Sequence, residues 1–452
     1  MAIGILFDQY IFKSFGLFLF LNLLSFLVHS FIYRKYVKSI FNPMFLYLIL
    51  VSSSSLAVVT FMFIRGLINV YYFSNFILTE LAFVLGFFTI KVRSIMRIEL
   101  EQKGLSFYAN FMKHLYFIST LAFLLSQILV YVFRGIPLTY QSRWEVFYQS
   151  GGFGLLSRIL DVTMPTSVFL LLWRIFLVRE RTLSGIVYDM LIFFFVILSS
   201  VLSGSKMTFL NVVFISYYFA LFFNQFNFKE YLVWLKKIFS RLQWLLLIFA
   251  SIAAMVVIGY QLRVFYNNLS LNNILVALFA RYVKFGDIYI LSYPNDILKI
   301  LPKSNGFLAL FQDILGFFRI INWDQLPSSL GLQIYQTIYH TNAVTGPTSI
   351  YNVFGLFYFG YIGSIVYSYI VGLFIGFIVK KLIFVMKKNM FGGLLFTLFS
   401  INSWTLILNA SVCVKNFFDI LLFLPPLLLI SLLMSSFDKD FALKTVLNRG
   451  TK

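Results

Sequence analysis

Long apolar runs, repeated along the chain, are the dominant pattern in this sequence. In stretches such as residues 191–202, apolar side chains follow one another with neither strict two-residue alternation nor a one-sided helical stripe. Segments that are apolar all round are typical of helices surrounded by lipid. A membrane β-barrel needs lipid-facing and lumen-facing side chains in alternation, so the pattern excludes it. The sequence therefore predicts an all-α polytopic membrane protein.

Eleven apolar segments reach the length of roughly 20 residues that a membrane-crossing helix needs. They lie near residues 14–33, 42–64, 71–90, 115–133, 155–178, 184–203, 207–223, 243–260, 352–379, 392–413 and 418–434. This spacing divides the chain into eight spans (1–260), a large loop (261–351), three further spans (352–434) and a tail (435–452).

The distribution of basic residues predicts how the spans are oriented. With the N-terminus outside, 23 of the 36 Lys and Arg residues fall on the inner side and 13 on the outer side. Nearly half of those 13 lie in the large loop, and long loops are poor topological signals. Because basic residues are retained on the cytoplasmic side, we expect an N-out, C-in chain whose large loop faces the periplasm.

Composition narrows the class of function. Only 12% of the residues are charged, against about 25% in soluble domains. The net charge of +20 is explained by basic residues held on the cytoplasmic side, so we expect no nucleic-acid partner. The single cysteine, Cys413, excludes an internal disulfide, and no metal-ligand or nucleotide-binding spacing is present. We therefore expect neither a metal nor another cofactor.

The large loop carries most of the candidate chemistry, as long loops in compact proteins often do. Two apolar stretches interrupted by charge, residues 272–290 and 307–321, predict helices that lie at the outer interface. The charged residues of the loop are Arg263, Arg281, Lys284 and Arg319, with Asp287, Asp296, Asp313 and Asp324. A neutral His340 is able to accept a proton from a sugar hydroxyl, although a lone loop histidine is more often solvated.

Ionisable residues within predicted spans are costly and mark sites or paired structural contacts. Arg158 and Asp161 are three residues apart and share a helix face, which favours a self-neutralising pair; Arg158 also suits an anionic ligand. Glu80 has no neighbour of opposite charge in sequence, so we expect a basic partner from another helix. The turn Gly204-Ser205-Lys206 precedes a predicted helix and suits either a phosphate oxygen or a plain turn.

These features resemble the Wzy-type oligosaccharide repeat-unit polymerases, which extend O-antigen and enterobacterial common antigen. The similarity covers the length, the number of spans and the single dominant outer loop. It is strongest between residues 200 and 365, and rests on the Gly204–Lys206 turn, Arg281, His340 ahead of Pro347-Thr348, and the glycines 355, 360 and 363. Lys206 departs from the arginine of relatives, which keeps the charge but loses bidentate binding.

The resemblance implies a metal-independent glycosyltransferase of GT-C-like fold in the bacterial inner membrane, with its active site facing the periplasm. Its donor and acceptor would be undecaprenyl-diphosphate-linked oligosaccharides, and a chain-length regulator protein would be a partner. His340, with Asp287 as the substitute, is the candidate base. Candidates for the diphosphate are Arg158, Lys206, Arg263, Arg281, Lys284 and Arg319, together with Arg143, which fits an Arg-x10-Gly pattern of some relatives with Gly154.

Three alternatives remain open. An O-antigen ligase uses the same donor but a different acceptor, and a single sequence does not separate the two. A flippase or transporter of the lipid-linked unit should carry charges in the middle of several spans, whereas these centres look mostly bare. A structural scaffold would leave the cost of Arg158 at membrane depth unexplained.

Overall fold

A computed structural model describes residues 14–37, 39–91, 105–140, 146, 153–178, 182–223, 284–294, 296–341, 346–383 and 390–449. Within these ranges every regular element is a helix. Nine of the described helices are long and apolar enough to cross a membrane, as expected of a multi-pass membrane protein. The predicted span 207–223 is also an apolar helix, and the predicted span 243–260 lies outside the described residues.

The helices follow one another in this order. The first seven are α1 (Phe15–Tyr33), α2 (Phe45–Ile64), α3 (Val70–Thr89), α4 (Leu105–Arg134), α5 (Phe153–Leu177), α6 (Leu183–Leu202) and α7 (Lys206–Phe223). The large loop contains α8 (Asp287–Ser292), α9 (Ile297–Ile300), α10 (Gly306–Phe317) and α11 (Leu330–Tyr339). The chain continues with α12 (Tyr351–Phe377), α13 (Met390–Ser403), α14 (Thr405–Leu408) and α15 (Ala410–Arg449).

The chain forms two compact units. Unit 1 comprises residues 1–93, 258–382 and 400–415, and unit 2 comprises residues 94–257, 383–399 and 416–452. The described part of the large loop therefore belongs to the same unit as the first three spans. In unit 2, α5 packs against α4, α6 and α7.

Glycines bring α3 and the second part of α12 into close contact in unit 1. A Cβ atom at Gly372 would collide with the carbonyl oxygen of Phe83, and one at Gly86 with that of Tyr369. Gly376, one turn after Gly372, lies against Phe87 in the same way. Small residues at this spacing let two membrane helices pack backbone to backbone. Because later residues of α12 contact later residues of α3, the two helices run in parallel.

The chain reverses its direction at Gly360, inside α12. Gly360 has φ 73° and ψ −173°, a conformation that is essentially restricted to glycine. A Cβ atom at Gly355 would lie 3.1 Å from the Cα atom of Ser364, and the rings of Phe354 and Tyr367 are 5.7 Å apart. Residues thirteen apart in a straight helix are separated by about 20 Å. Residues 351–359 and 361–377 are therefore two helices of a hairpin, and the single span predicted over 352–379 is corrected accordingly.

The first arm of this hairpin, residues 351–359, is called the inserted helix. Its beginning lies halfway along α3, where Tyr351 packs on Phe83 and Asn352 contacts Glu80. After the reversal, Tyr361 contacts Ser74 near the Val70 end of α3. Residues 351–357 are all buried, in contrast to lipid-facing positions such as Ile362. The inserted helix thus runs from the middle of unit 1 to the Val70 end of α3.

We predict that Gly355→Cys and Ser364→Cys, combined in a Cys413→Ser background, form a disulfide in the membrane-embedded protein. The Cβ positions at residues 355 and 364 are 3.2 Å apart, close to disulfide geometry. A shift in electrophoretic mobility that reverses with reductant measures the bond. The matched control is Ile362→Cys with Ile370→Cys, two positions in the continuous arm about 12 Å apart. Equal failure of both pairs would contradict the hairpin.

Candidate functional site

Glu80, halfway along α3, is the centre of a polar cluster in unit 1. Asn352 donates from Nδ2 to Glu80 Oε1 at 3.4 Å, and the Tyr351 hydroxyl faces the same carboxyl group. Tyr289 donates to Asn352 Oδ1 at 2.6 Å. Glu80 is half-buried, while its tyrosine and asparagine neighbours are buried. Among the described residues the contacts of Glu80 are uncharged, so the expectation of a basic partner is wrong for this part of the chain.

The inserted helix points its N-terminus at this carboxyl group. Because Tyr351 and Asn352 are its first two residues, the positive end of the helix dipole lies next to Glu80. A helix N-terminus stabilises a partly buried anion by up to about 2 kcal/mol. Desolvation of an ion inside a protein costs several kcal/mol. The dipole alone therefore does not offset the cost of ionising Glu80 at this position.

Helix α8 brings Asp287 into unit 1. Gly286, directly before it, packs on Val58 of α2, where a Cβ atom would lie 2.7 Å from a Val58 methyl group. The following residues, from Ile288 to Ser292, are all buried, and Asp287 itself is half-buried. The prediction that residues 272–290 lie at the outer interface is therefore wrong for their described end. This segment packs between α2 and α3.

A column of aromatic hydroxyls runs from the Glu80 cluster to the Val70 end of α3. The ring of Tyr289 is 5.4 Å from that of Tyr293, which stacks on Tyr72 at 4.6 Å. Tyr72 donates to Asp296 Oδ1 at 2.6 Å, and Lys299 pairs with the other carboxylate oxygen at 3.1 Å. The hydrogen bond from Tyr72, with a smaller contribution from Lys299, lowers the pKa of Asp296. The column therefore ends on an accessible, ionised carboxylate.

Helix α10 confirms the helix predicted within residues 307–321. Phe307, Phe311 and Phe318 form an exposed stripe on one side. Gly306 and Ala309 are buried on the other side. An exposed apolar stripe on a short helix is typical of a helix at a membrane interface. The location of this helix at the outer interface stays a prediction.

The turns that follow α10 and α11 hold two of the predicted site residues. Arg319 and His340 are exposed, and both adopt positive φ, 53° and 48°. Each residue ends its helix by adopting the left-handed conformation that is common at helix C-termini. This conformation explains the change of chain direction at both positions. Helix α11, which His340 ends, packs against α8, which Asp287 begins. The structure thus brings the helices of the two candidate bases together.

Arg158 of α5 forms a buried ion pair in unit 2. Its Nη1 atom is 2.6 Å from Asp419 Oδ1 on α15, and the Asp419 side chain is fully buried. Asp419 thus pairs with Arg158, which the sequence analysis did not predict, while Asp161 on the same helix is exposed. Asp419 was missed because its partner lies 261 residues away. An acidic residue inside an apolar run was the signal available in the sequence.

The turn before α7 is made by its glycine and serines. Gly204 has φ 61°, and a Cβ atom there would lie 3.3 Å from the Cα atom of Leu138. Ser203 accepts a hydrogen bond from the Ser205 backbone amide at 3.1 Å. Lys206 is the first residue of α7, one residue before the predicted start of the span at residue 207. These contacts account for the glycine and the serines without a ligand.

Several predicted site residues lie outside what the structure describes. Arg143, Arg263 and Arg281 fall outside the described ranges, as do the side chains of Lys206 and Lys284. Within the described ranges, no three His, Cys, Asp or Glu side chains are grouped so that they would hold a metal ion. The diphosphate site as a whole therefore stays a prediction.

Comparison with known proteins gives no match for this chain. It matches no protein-family model, no characterised protein sequence and no solved structure. The resemblance to the repeat-unit polymerases accordingly stays a prediction from sequence.

We predict that Asp419→Ala lowers the free energy of unfolding by about 3 kcal/mol or more, because it removes the nearest carboxylate from a buried guanidinium group. The double change Arg158→Met with Asp419→Leu should restore most of that loss. Thermal unfolding of the detergent-solubilised protein measures both. Asp324→Ala, at an exposed position, is the control and should change stability by less than about 0.5 kcal/mol. A stable double variant without activity would instead give Arg158 a role in ligand binding.

Proposed function

We propose that this chain is a glycosyltransferase that polymerises undecaprenyl-diphosphate-linked oligosaccharide repeat units at the periplasmic face of the bacterial inner membrane. The observation that carries the proposal is the packing of α8 against α11. These helices place Asp287 and His340, an acid and an imidazole, on one folded outer loop. General bases of these two types suit the transfer of a proton from a sugar hydroxyl.

The reaction requires a base and a set of cations. A hydroxyl oxygen of the acceptor glycan attacks the anomeric carbon of the donor, the bond to the diphosphate breaks, and the hydroxyl proton passes to the base. The departing diphosphate carries strong negative charge, which Arg and Lys side chains stabilise without a metal. We assign His340 as the base, because its exposed imidazole is accessible to a glycan hydroxyl.

Of the candidate cations, one has a described side chain in unit 1. Arg319 is exposed on the same loop as His340, which suits contact with a diphosphate at the membrane surface. Arg281, Lys284, Arg263 and Arg143 are assigned from sequence alone, as is Lys206. Arg158 is the weakest candidate of the set, because Asp419 already offsets its charge.

A second candidate function is transport of the lipid-linked unit across the membrane. The observation that favours it is the inserted helix, whose N-terminus meets Glu80 halfway along a span. Discontinuous helices and ionisable groups at membrane depth are typical of transporters. The buried Asp419 and Arg158 add two further charged groups within apolar helices. The sequence analysis argued against a transporter because the centres of most spans lacked charged residues. Fewer span centres lack them than the sequence indicated, which weakens that argument.

We predict that a strain lacking this protein carries core lipid that bears a single repeat unit. A polymerase defect stops chain extension but leaves ligation intact. Gel electrophoresis of the extracted polysaccharide shows the difference from the ladder of the parent strain. Core lipid with no repeat unit, together with accumulated undecaprenyl-linked polymer, would indicate a ligase instead. Repeat units trapped in the inner leaflet would support the transporter.

We predict that His340→Asn and His340→Gly both abolish chain extension while the protein still accumulates in the membrane. Both residues tolerate the positive φ at this position, so the changes remove the imidazole without breaking the turn. The same gel measures chain length. Asp287→Asn tests the substitute base, with the exposed Asp324→Asn of the same loop as its control. Normal chains from both His340 variants would remove the residue from the site.

A further inference from the structure

We propose that Glu80 is a proton-binding site, and that its proton exchanges at the Val70 end of α3 through the tyrosine column that ends on Asp296. The site holds a proton on a carboxyl group inside unit 1. The proposal concerns the protein itself and does not depend on which reaction the chain performs.

The titratable groups that face Glu80 in the described part of unit 1 are neutral tyrosines, so none of them balances the charge of a carboxylate. They are Tyr33 on α1, Tyr289 and Tyr293 from the large loop, and Tyr351 on the inserted helix. All four are buried aromatic side chains whose hydroxyls are neutral at ordinary pH. A carboxylate in such surroundings is more stable with its proton bound.

Lys380, the buried cation in the described part of unit 1, contacts groups other than Glu80. Lys380 donates to the carbonyl oxygen of Phe87 at 2.6 Å. Its ammonium group also lies 4.5 Å from the centre of the Tyr36 ring and 4.8 Å from that of Phe88. Phe87 is seven residues beyond Glu80 on α3, which is about 10 Å along the helix. Lys380 therefore caps the end of α3 and does not neutralise Glu80.

A route for the proton leads from Glu80 toward the Val70 end of α3 in the described part of unit 1. From Glu80 it passes the hydroxyl of Tyr289, which faces the same carboxyl group and donates to Asn352 Oδ1 at 2.6 Å. It continues past Tyr293, whose buried hydroxyl has no hydrogen-bond partner among the described residues, to the Tyr72–Asp296 pair. A hydroxyl in that position is able to form a hydrogen bond with a water molecule or to accept a proton. Hydroxyl and carboxyl groups in series are typical of proton relays in membranes.

Infrared spectroscopy of the full-length protein in lipid vesicles tests the proposal. The expected result is a carbonyl band of a protonated carboxyl group at neutral pH, which disappears in Glu80→Gln and fades in the native protein at high pH. Asp324→Asn is the control and should leave the band unchanged. Should Glu80→Gln fail to accumulate, Tyr351→Phe serves, because losing the hydroxyl that faces the carboxyl group shifts the band. A band insensitive to both changes overturns the proposal.

The route is tested by the rate at which the same band decays after a rapid rise in pH. Tyr72→Phe and Asp296→Asn should slow the decay and leave the band's initial amplitude unchanged. Tyr71→Phe, an exposed neighbour of Tyr72, should not. Decay at the native rate in both route variants would overturn the assigned direction of exchange. This result is independent of the polysaccharide that the strain makes, which tests the proposed function instead.

Discussion

The reversal of the backbone at Gly360 determines how unit 1 is built. Its φ of 73° with ψ of −173° is open to glycine and closed to other residues, so the chain folds back there instead of continuing as one helix. As a result, residues 351–359 lie beside α3, and Asn352 and Tyr351 meet Glu80. The second arm then packs on α3 so closely that Gly372 has no room for a side chain.

The inserted helix also explains why the large loop folds into the unit. Residues 346–350, which lead into that helix, have no regular structure, and inside a membrane protein an irregular backbone persists only where protein surrounds it. Ser349 and Ile350 are buried, and the carbonyl group of Pro347 leaves no room for a side chain at Gly331 of α11. His340 is thus held between a packed helix and a buried entry segment.

The sequence predicted the helices better than their contacts. Apolar runs mark the spans because lipid requires them, and that signal needs no partner. The reversal at Gly360 was hidden, since hydropathy stays high through residues 352–379 and glycines at 355 and 363 flank it. The partners of Arg158 and Glu80 were also missed, because both come from helices distant in sequence. The predicted diphosphate site includes Arg143, Arg263 and Arg281, which the structure does not describe, so the site stays a prediction.

A double-mutant cycle between Glu80→Gln and Tyr351→Phe tests the arrangement most directly. If the inserted helix turns back along α3, the two side chains are in contact, and their effects on the free energy of unfolding should deviate from additivity by at least about 0.5 kcal/mol. In an unbroken α12, Tyr351 would lie about 24 Å away from Glu80 along α3. Effects that add to within about 0.3 kcal/mol would contradict the account.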